Sequence, residues 1–186
     1  ELIKILNSKK SQEIISLMIR DKILNVIFGW KYVETSKLLS ALDSQQNLDY
    51  ISLFVLVNYH LDKNSIIDLC KTLKLSKKDS KSIIFTSQMA RLIPQNDLRY
   101  LRLYRHLIGT RWRQILSLSK IFDQHDMIDF HNFSKQSYFT KIIHEIENLP
   151  PLECQEQLID GKWLMATTNI EQGQKLGRLK EWLYRI

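Results

Sequence analysis

The sequence predicts an all-α fold, a multi-helix array of about nine to eleven helices. Three observations carry this. Apolar residues recur at spacings of three and four along most of the chain, the period of a helix face. Glycine and proline are scarce, five and three in 186 residues, which argues against sandwiches, barrels and linker-rich chains. Ser76-Lys77-Lys78-Asp79 has the layout of a capping box, a hydroxyl at the cap and a carboxylate three residues on.

Taken in order, Ser11 to Phe28 shows helical spacing through Ile14, Leu17, Met18, Leu24, Ile27 and Phe28. Glu34 to Leu42 is a short helix. Leu48 to Leu61 is apolar on most sides and reads as a buried central helix, with a strand as the alternative for Phe54–Val57. Ile66 to Leu73 is another short helix. The helix opened by Ser76 runs through Ile83, Ile84, Met89 and Leu92 until Pro94 stops it. Asn96 caps the next, which closes at His106 and Gly109. Thr110 starts a helix through Ile115, Leu116 and Phe122. Ser134 to Ile146 follows, with Tyr138, Ile142 and Ile143 inward. After the break at Pro150-Pro151 come two short helices, 158–165 and 174–184.

With 44% hydrophobic and 25% charged residues, the balance is that of a folded chain large enough to bury a core. Cys70 and Cys154 form neither a metal pattern nor a disulfide framework, so a reducing cytoplasm is the expected compartment. Cys70 belongs in a core helix. The longest near-apolar run, Ile51 to Tyr59, is too short to span a bilayer, so no membrane partner is expected. A start at Glu1 with no Met leads us to expect a fragment of something longer.

The formal charge is +7, and its distribution matters more than its size. Between Arg91 and Lys120 stand seven cations, Arg91, Arg99, Arg102, Arg105, Arg111, Arg113 and Lys120, against Asp97 alone: 7 − 1 = +6. The other 156 residues carry 20 cations and 19 acids. Arginine forks pair with phosphate bidentately, as lysine point charges do not. At 100° per residue from Leu98, Arg99, Arg102, Arg105 and His106 share a sector about 120° wide. Tyr100, Leu101, Leu103, Tyr104, Leu107 and Ile108 take the opposite, core-facing sector, and only Leu98 falls among the arginines. A charged stripe is commonly just a solvated face, but this one lacks the interspersed acids of a helix built for stability. A phosphate-rich partner is therefore expected.

Catalytic constellations are missing. There is no glycine-rich phosphate loop and no nucleophile elbow. Asp123, Asp126 and Asp129 step by three along a helix end and read as its fringe rather than as a Mg²⁺ site. His125-Asp126 is formally the dipeptide of metal-dependent phosphohydrolases, but His60, His106 and Asp160 stand at no spacing that would complete the site. Trp112, Trp163 and Trp182 could stack on bases, but tryptophan at helical spacing is more often core.

Four stretches together resemble the C-terminal part of the bacterial tRNA nucleotidyltransferase/poly(A) polymerase family, the CCA-adding enzymes and their polyadenylating relatives. They are Leu2-Ile3-Lys4-Ile5-Leu6 with Met18-Ile19-Arg20-Asp21-Lys22-Ile23-Leu24; Leu73-Lys74-Leu75-Ser76-Lys77-Lys78-Asp79; Leu103-Tyr104-Arg105-His106-Leu107-Ile108-Gly109 with Trp112-Arg113; and a tail. The tail comprises Leu149-Pro150-Pro151-Leu152, Asp160-Gly161-Lys162-Trp163-Leu164 and Gln172-Gly173-Gln174-Lys175-Leu176-Gly177-Arg178-Leu179. It departs from the family pattern at Trp163, where Asp is usual, and at Gln172 and Gln174, where Pro is usual.

The resemblance implies the body and tail of a class II CCA-adding enzyme: residues 1–30 the end of the neck, 31–149 an RNA-binding helical body and 150–186 a helical tail. The family's catalytic head, which would use Mg²⁺ with CTP or ATP, has no counterpart here. The resemblance thus implies a chain with no catalytic residue, metal, cofactor or small-molecule substrate of its own, inactive alone, holding the acceptor or T arm of tRNA, or another RNA 3′ end. The arginine face suits backbone phosphates. In the tail, Gly173 admits close backbone approach, and the helix from Gln174 presents free N–H groups with Lys162, Lys175 and Arg178 nearby. A Gly-containing turn packed on the core is the competing view of that loop. The alternative for the whole chain is a helical protein-interaction or self-association module whose basic face meets an acidic partner.

Overall fold

The computed structural model describes residues 1–30, 33–43, 48–92, 97–130, 136–149 and 160–183. They form a five-residue helical segment and eleven helices of six to thirteen residues, with no strand among the described residues. In order these are α1 (Leu2–Leu6), α2 (Ser11–Arg20), α3 (Ile23–Phe28), α4 (Thr35–Asp43), α5 (Tyr50–Val57), α6 (Lys63–Thr72), α7 (Lys77–Met89), α8 (Leu98–Ile108), α9 (Trp112–Gln124), α10 (Gln136–Glu147), α11 (Gly161–Thr168) and α12 (Gln174–Leu183). A 3₁₀ turn, Gly109–Arg111, joins α8 to α9. The chain is all-α, as the periodicity predicts.

Packing divides the chain into two units, Glu1–Ile93 with Arg113–Gln136, and Pro94–Trp112 with Ser137–Ile186. These cuts fall elsewhere than the three stretches 1–30, 31–149 and 150–186.

The first unit is organised around α5. Every residue from Ile51 to Val57 is buried, so this segment is a helix wrapped on all sides rather than a strand. Asp49 caps it, accepting from the Ser52 N–H at 2.9 Å. Packed on α5 is α7, with α6 against α7, while α2 meets α3 and α4. At the start of α7, Ser76 Oγ accepts from the Asp79 N–H at 3.0 Å and donates to its carboxylate at 2.7 Å, and the Tyr50 hydroxyl donates to the same carboxylate. Those two side-chain bonds, Tyr50 first, hold the Asp79 carboxyl below its usual range. The predicted cap thus also ties α7 to α5. Cys70 is buried, and burial raises its thiol pKa.

Ser11–Phe28 is two helices rather than one. Asp21 ends α2 and Lys22 takes a left-handed φ of 57°. The buried edge of α2 is Ile15, Met18 and Ile19, one residue off the predicted register, and Leu17 is 56% exposed. Leu92 is exposed as well. The helix expected from Thr110 begins two residues later, after the 3₁₀ turn. On α10 the buried residues are Phe139, Ile142 and Ile146, with Tyr138 and Ile143 half-buried. Pro94, Asn96, Ser134, Pro150, Pro151 and Cys154 lie outside the described residues.

Among the described residues no helix is long and apolar enough to cross a membrane, and no group of three His, Cys, Asp or Glu could hold a metal. Asp123, at the end of α9, has its pKa raised by burial and by Asp126 beyond it.

Candidate nucleic-acid interface

The basic window is shared between the two units. Arg91, Arg113 and Lys120 belong to the first, Arg99, Arg102, Arg105 and Arg111 to the second.

In the first unit Arg91 follows α7, and its guanidinium donates from Nη2 to the carbonyls of Tyr59 and Leu61, the latter at 2.7 Å. Burial lowers its pKa, with Asp62 pulling the other way. This fork closes the turn after α5, where Trp30 and Tyr59 stack edge-on against His60. Arg91 therefore has a structural use that the charge count could not show. Arg113 is exposed on α9 and Lys120 half-buried. The opposite side of α9 is core: Ile115, Leu116, Leu118, Ile121 and Phe122 are buried, and Ser119 Oγ donates to the Ala90 carbonyl at 2.9 Å.

In the second unit α8 is the amphipathic helix the arithmetic predicts, but its buried edge is narrower. Leu101, Tyr104 and Ile108 are buried, and burial pushes the Tyr104 hydroxyl pKa up. Tyr100 and Leu107, predicted inward, are each 53% exposed, and Leu103 is half-buried. These three sit 140–200° around the helix from Leu98, beside Arg99, Arg102 and His106 at 40–100° on the same 100°-per-residue count. Exposed α8 thus carries a basic strip flanked by an apolar one.

Arg105 lies at the edge of this strip and turns back on its own helix. Its Nη1 donates to the Gly109 carbonyl at 2.8 Å, and its guanidinium carbon lies 4.6 Å from the centroid of the buried Trp112 ring. Gly109 has a φ of 56°, which turns the chain there. Arg105 is thus a cap of α8 and a lid on Trp112. Arg102, His106 and Arg111 are half-buried; Arg99 holds a place in α8 between Leu98 and Tyr100, and its side chain lies outside the described ones.

The tail residues are Lys162 on α11, and Lys175 and Arg178 on α12, all exposed. Asp160 caps α11, accepting from the Lys162 N–H at 3.0 Å. The turn before α12 and the helix's first two residues, 169–175, line a concavity of about 430 Å³ that includes Glu171, Gly173 and Lys175. Gly173 is exposed, and a Cβ added there would meet nothing within 4 Å. The turn is therefore not pressed on the core, and Lys162 and Arg178 do not line it.

The tryptophans differ in burial. Trp112 is core, but Trp163 and Trp182 are 60% and 54% exposed. On the same two helices Leu164 and Leu176 take the buried positions.

No protein-family model, curated protein or solved structure matches the chain.

Proposed function

We propose that the chain is an RNA-binding helical module that grips backbone phosphates. The observation that carries this reading is α8: an eleven-residue helix with no acid, whose exposed side sets Arg102 and His106 beside the place of Arg99. Arg111 follows in the next turn, and Lys162, Lys175 and Arg178 add cations on the tail helices of the same unit. On the sequence resemblance, we propose further that this module serves as the body and tail of a tRNA nucleotidyltransferase or poly(A) polymerase. It would hold tRNA or another RNA 3′ end while a separate catalytic head, with Mg²⁺ and CTP or ATP, adds nucleotides.

Titration of fluorescent tRNA at several salt concentrations, against duplex DNA of similar length, tests the reading. At ~0.9 per phosphate contact the log–log salt slope counts the contacts made, so a slope of about −4 corresponds to four or five of them. Arg102→Ala weakens tRNA binding. Equal affinity for tRNA and DNA, or no binding at low salt, rejects the reading.

A second reading is favoured by Tyr100 and Leu107: an exposed apolar strip beside arginines also fits an acidic amphipathic helix of a protein partner. Salt-dependent preference for tRNA decides between the two.

A further inference from the structure

Resting on the RNA reading, we infer that the tail helices form a stacking platform for unpaired RNA bases, with Trp163 and Trp182 as the platform residues. A tryptophan more than half exposed is an apolar surface of a kind that folding normally removes from water. Here two occur on consecutive helices that pack on each other, α11 and α12.

Their surroundings specify the ligand. On α12, Lys175, Arg178 and Trp182 are spaced by three and four, so they share one exposed stripe, while Leu176 is buried and Leu179 and Leu183 half-buried on the adjacent face. On α11, Lys162 precedes Trp163, and Ala166 and Thr167 continue the exposed face behind the ring. Thr167 Oγ1 donates to the Trp163 carbonyl at 2.8 Å, tying the turn that carries the ring. Each ring therefore comes with a cation on its own helix. An aromatic face for the base and a cation for its phosphate is the combination by which single strands are held without base-edge readout. A duplex, whose bases are already stacked, offers the rings nothing. The tail is thereby assigned an unpaired segment of the RNA and α8 the phosphate backbone.

The four tryptophans make the test direct, because Trp30 and Trp112 are buried and Trp163 and Trp182 are exposed. The whole chain is titrated with a fluorescently labelled single-stranded oligoadenylate and with an RNA duplex, following both tryptophan emission and the label's anisotropy. Expected is quenching of the red-shifted, solvent-exposed emission by the single strand and little by the duplex. Trp163→Leu and Trp182→Leu, judged folded by circular dichroism, each lose their share of the quenching and bind the single strand about 5- to 150-fold more weakly, the range spanned by one stacked base. Duplex binding should be unchanged in both variants. Binding by anisotropy with unquenched tryptophans, or variants that bind the single strand like the parent, overturns the platform and leaves the phosphate grip standing. No anisotropy change with either RNA overturns both.

Discussion

Arg91→Ala separates the two uses of arginine in this chain. The side chain donates charge-assisted hydrogen bonds to two carbonyls, those of Tyr59 and Leu61. Such bonds contribute about 1.5–3 kcal/mol each when fully buried. The site is half-buried, so water can reach the freed carbonyls, and loss of the guanidinium also removes its own desolvation cost. Both effects pull the net down, to about 2 kcal/mol in total. For a chain of this size that is a fall in Tm of about 4–8 °C. Thermal melting followed by far-UV circular dichroism measures it, and tRNA titration of the same variant reads its part in binding. The expected result is a lower Tm with little change in affinity. Arg91→Lys should recover less than half of the loss, because an ammonium is more strongly hydrated than a guanidinium and loses more on entering this half-buried site. A variant that melts within a degree of the parent but binds tRNA as weakly as Arg102→Ala would return Arg91 to the RNA face.

The same corner should make stability pH-dependent. Burial first, then Arg91, lowers the His60 pKa below 6.5, and its Nδ1 has no hydrogen-bond partner among the described residues. The unfolded chain therefore binds the proton more readily. Stability is full above pH 6.5 and declines as pH falls from 6.5 toward the folded value; urea unfolding at pH 7.5 and 5.5 should show this decline, and His60→Gln should flatten it. Ser76→Ala removes the cap of α7 and the hydroxyl bonded to Asp79, with an expected loss of ~1 kcal/mol in urea unfolding. A loss below a few tenths would mean that Tyr50 alone holds Asp79 in place.

What the sequence made legible follows from which forces are local. Caps and helical periodicity act within one or two turns, so α4, α5, α6 and the Ser76 start of α7 are found close to where the residues put them. Charge content is equally local, hence the acid-free α8. The inward register of α2 failed because Ile14, Ile15, Met18 and Ile19 offer two overlapping apolar edges. Packing against α1, α3 and α4 selects Ile15, Met18 and Ile19. The fates of Arg91 and Arg105 separate on the same principle. Arg105 stands four residues before the carbonyl it reaches, within the span of its own helix end. Arg91 stands 30 and 32 residues from its acceptors, and no local pattern foretells that meeting. The exposure of Trp163 and Trp182 is likewise a matter of which helix face finds a partner.

The low glycine count that predicted a helical chain has a structural cost that can be measured at Lys74. An array of short helices has many C-terminal ends, and each leaves carbonyls to be satisfied. At α3 the chain uses Gly29 in the left-handed region, with Trp30 N–H donating back to the Asn25 carbonyl at 3.0 Å. After α6 and α9 the same closure is made by residues that carry a Cβ. Lys74, at φ 51°, donates to the Lys71 carbonyl while Leu75 donates to Cys70. Asp126, at φ 47°, donates to Asp123 while Met127 donates to Phe122. A left-handed non-glycine residue costs roughly 1–2 kcal/mol. Glycine relieves that cost but adds freedom to the unfolded chain, so the net gain from Lys74→Gly is about 0.5–1 kcal/mol. Lys74 is exposed and lies far in sequence from the cations of α8 and the tail, so tRNA affinity should not move. Expected is a Tm raised by about 1–4 °C at 2–4 °C per kcal/mol. A lower Tm would mean that the lysine side chain contributes more at that helix end than its backbone conformation costs.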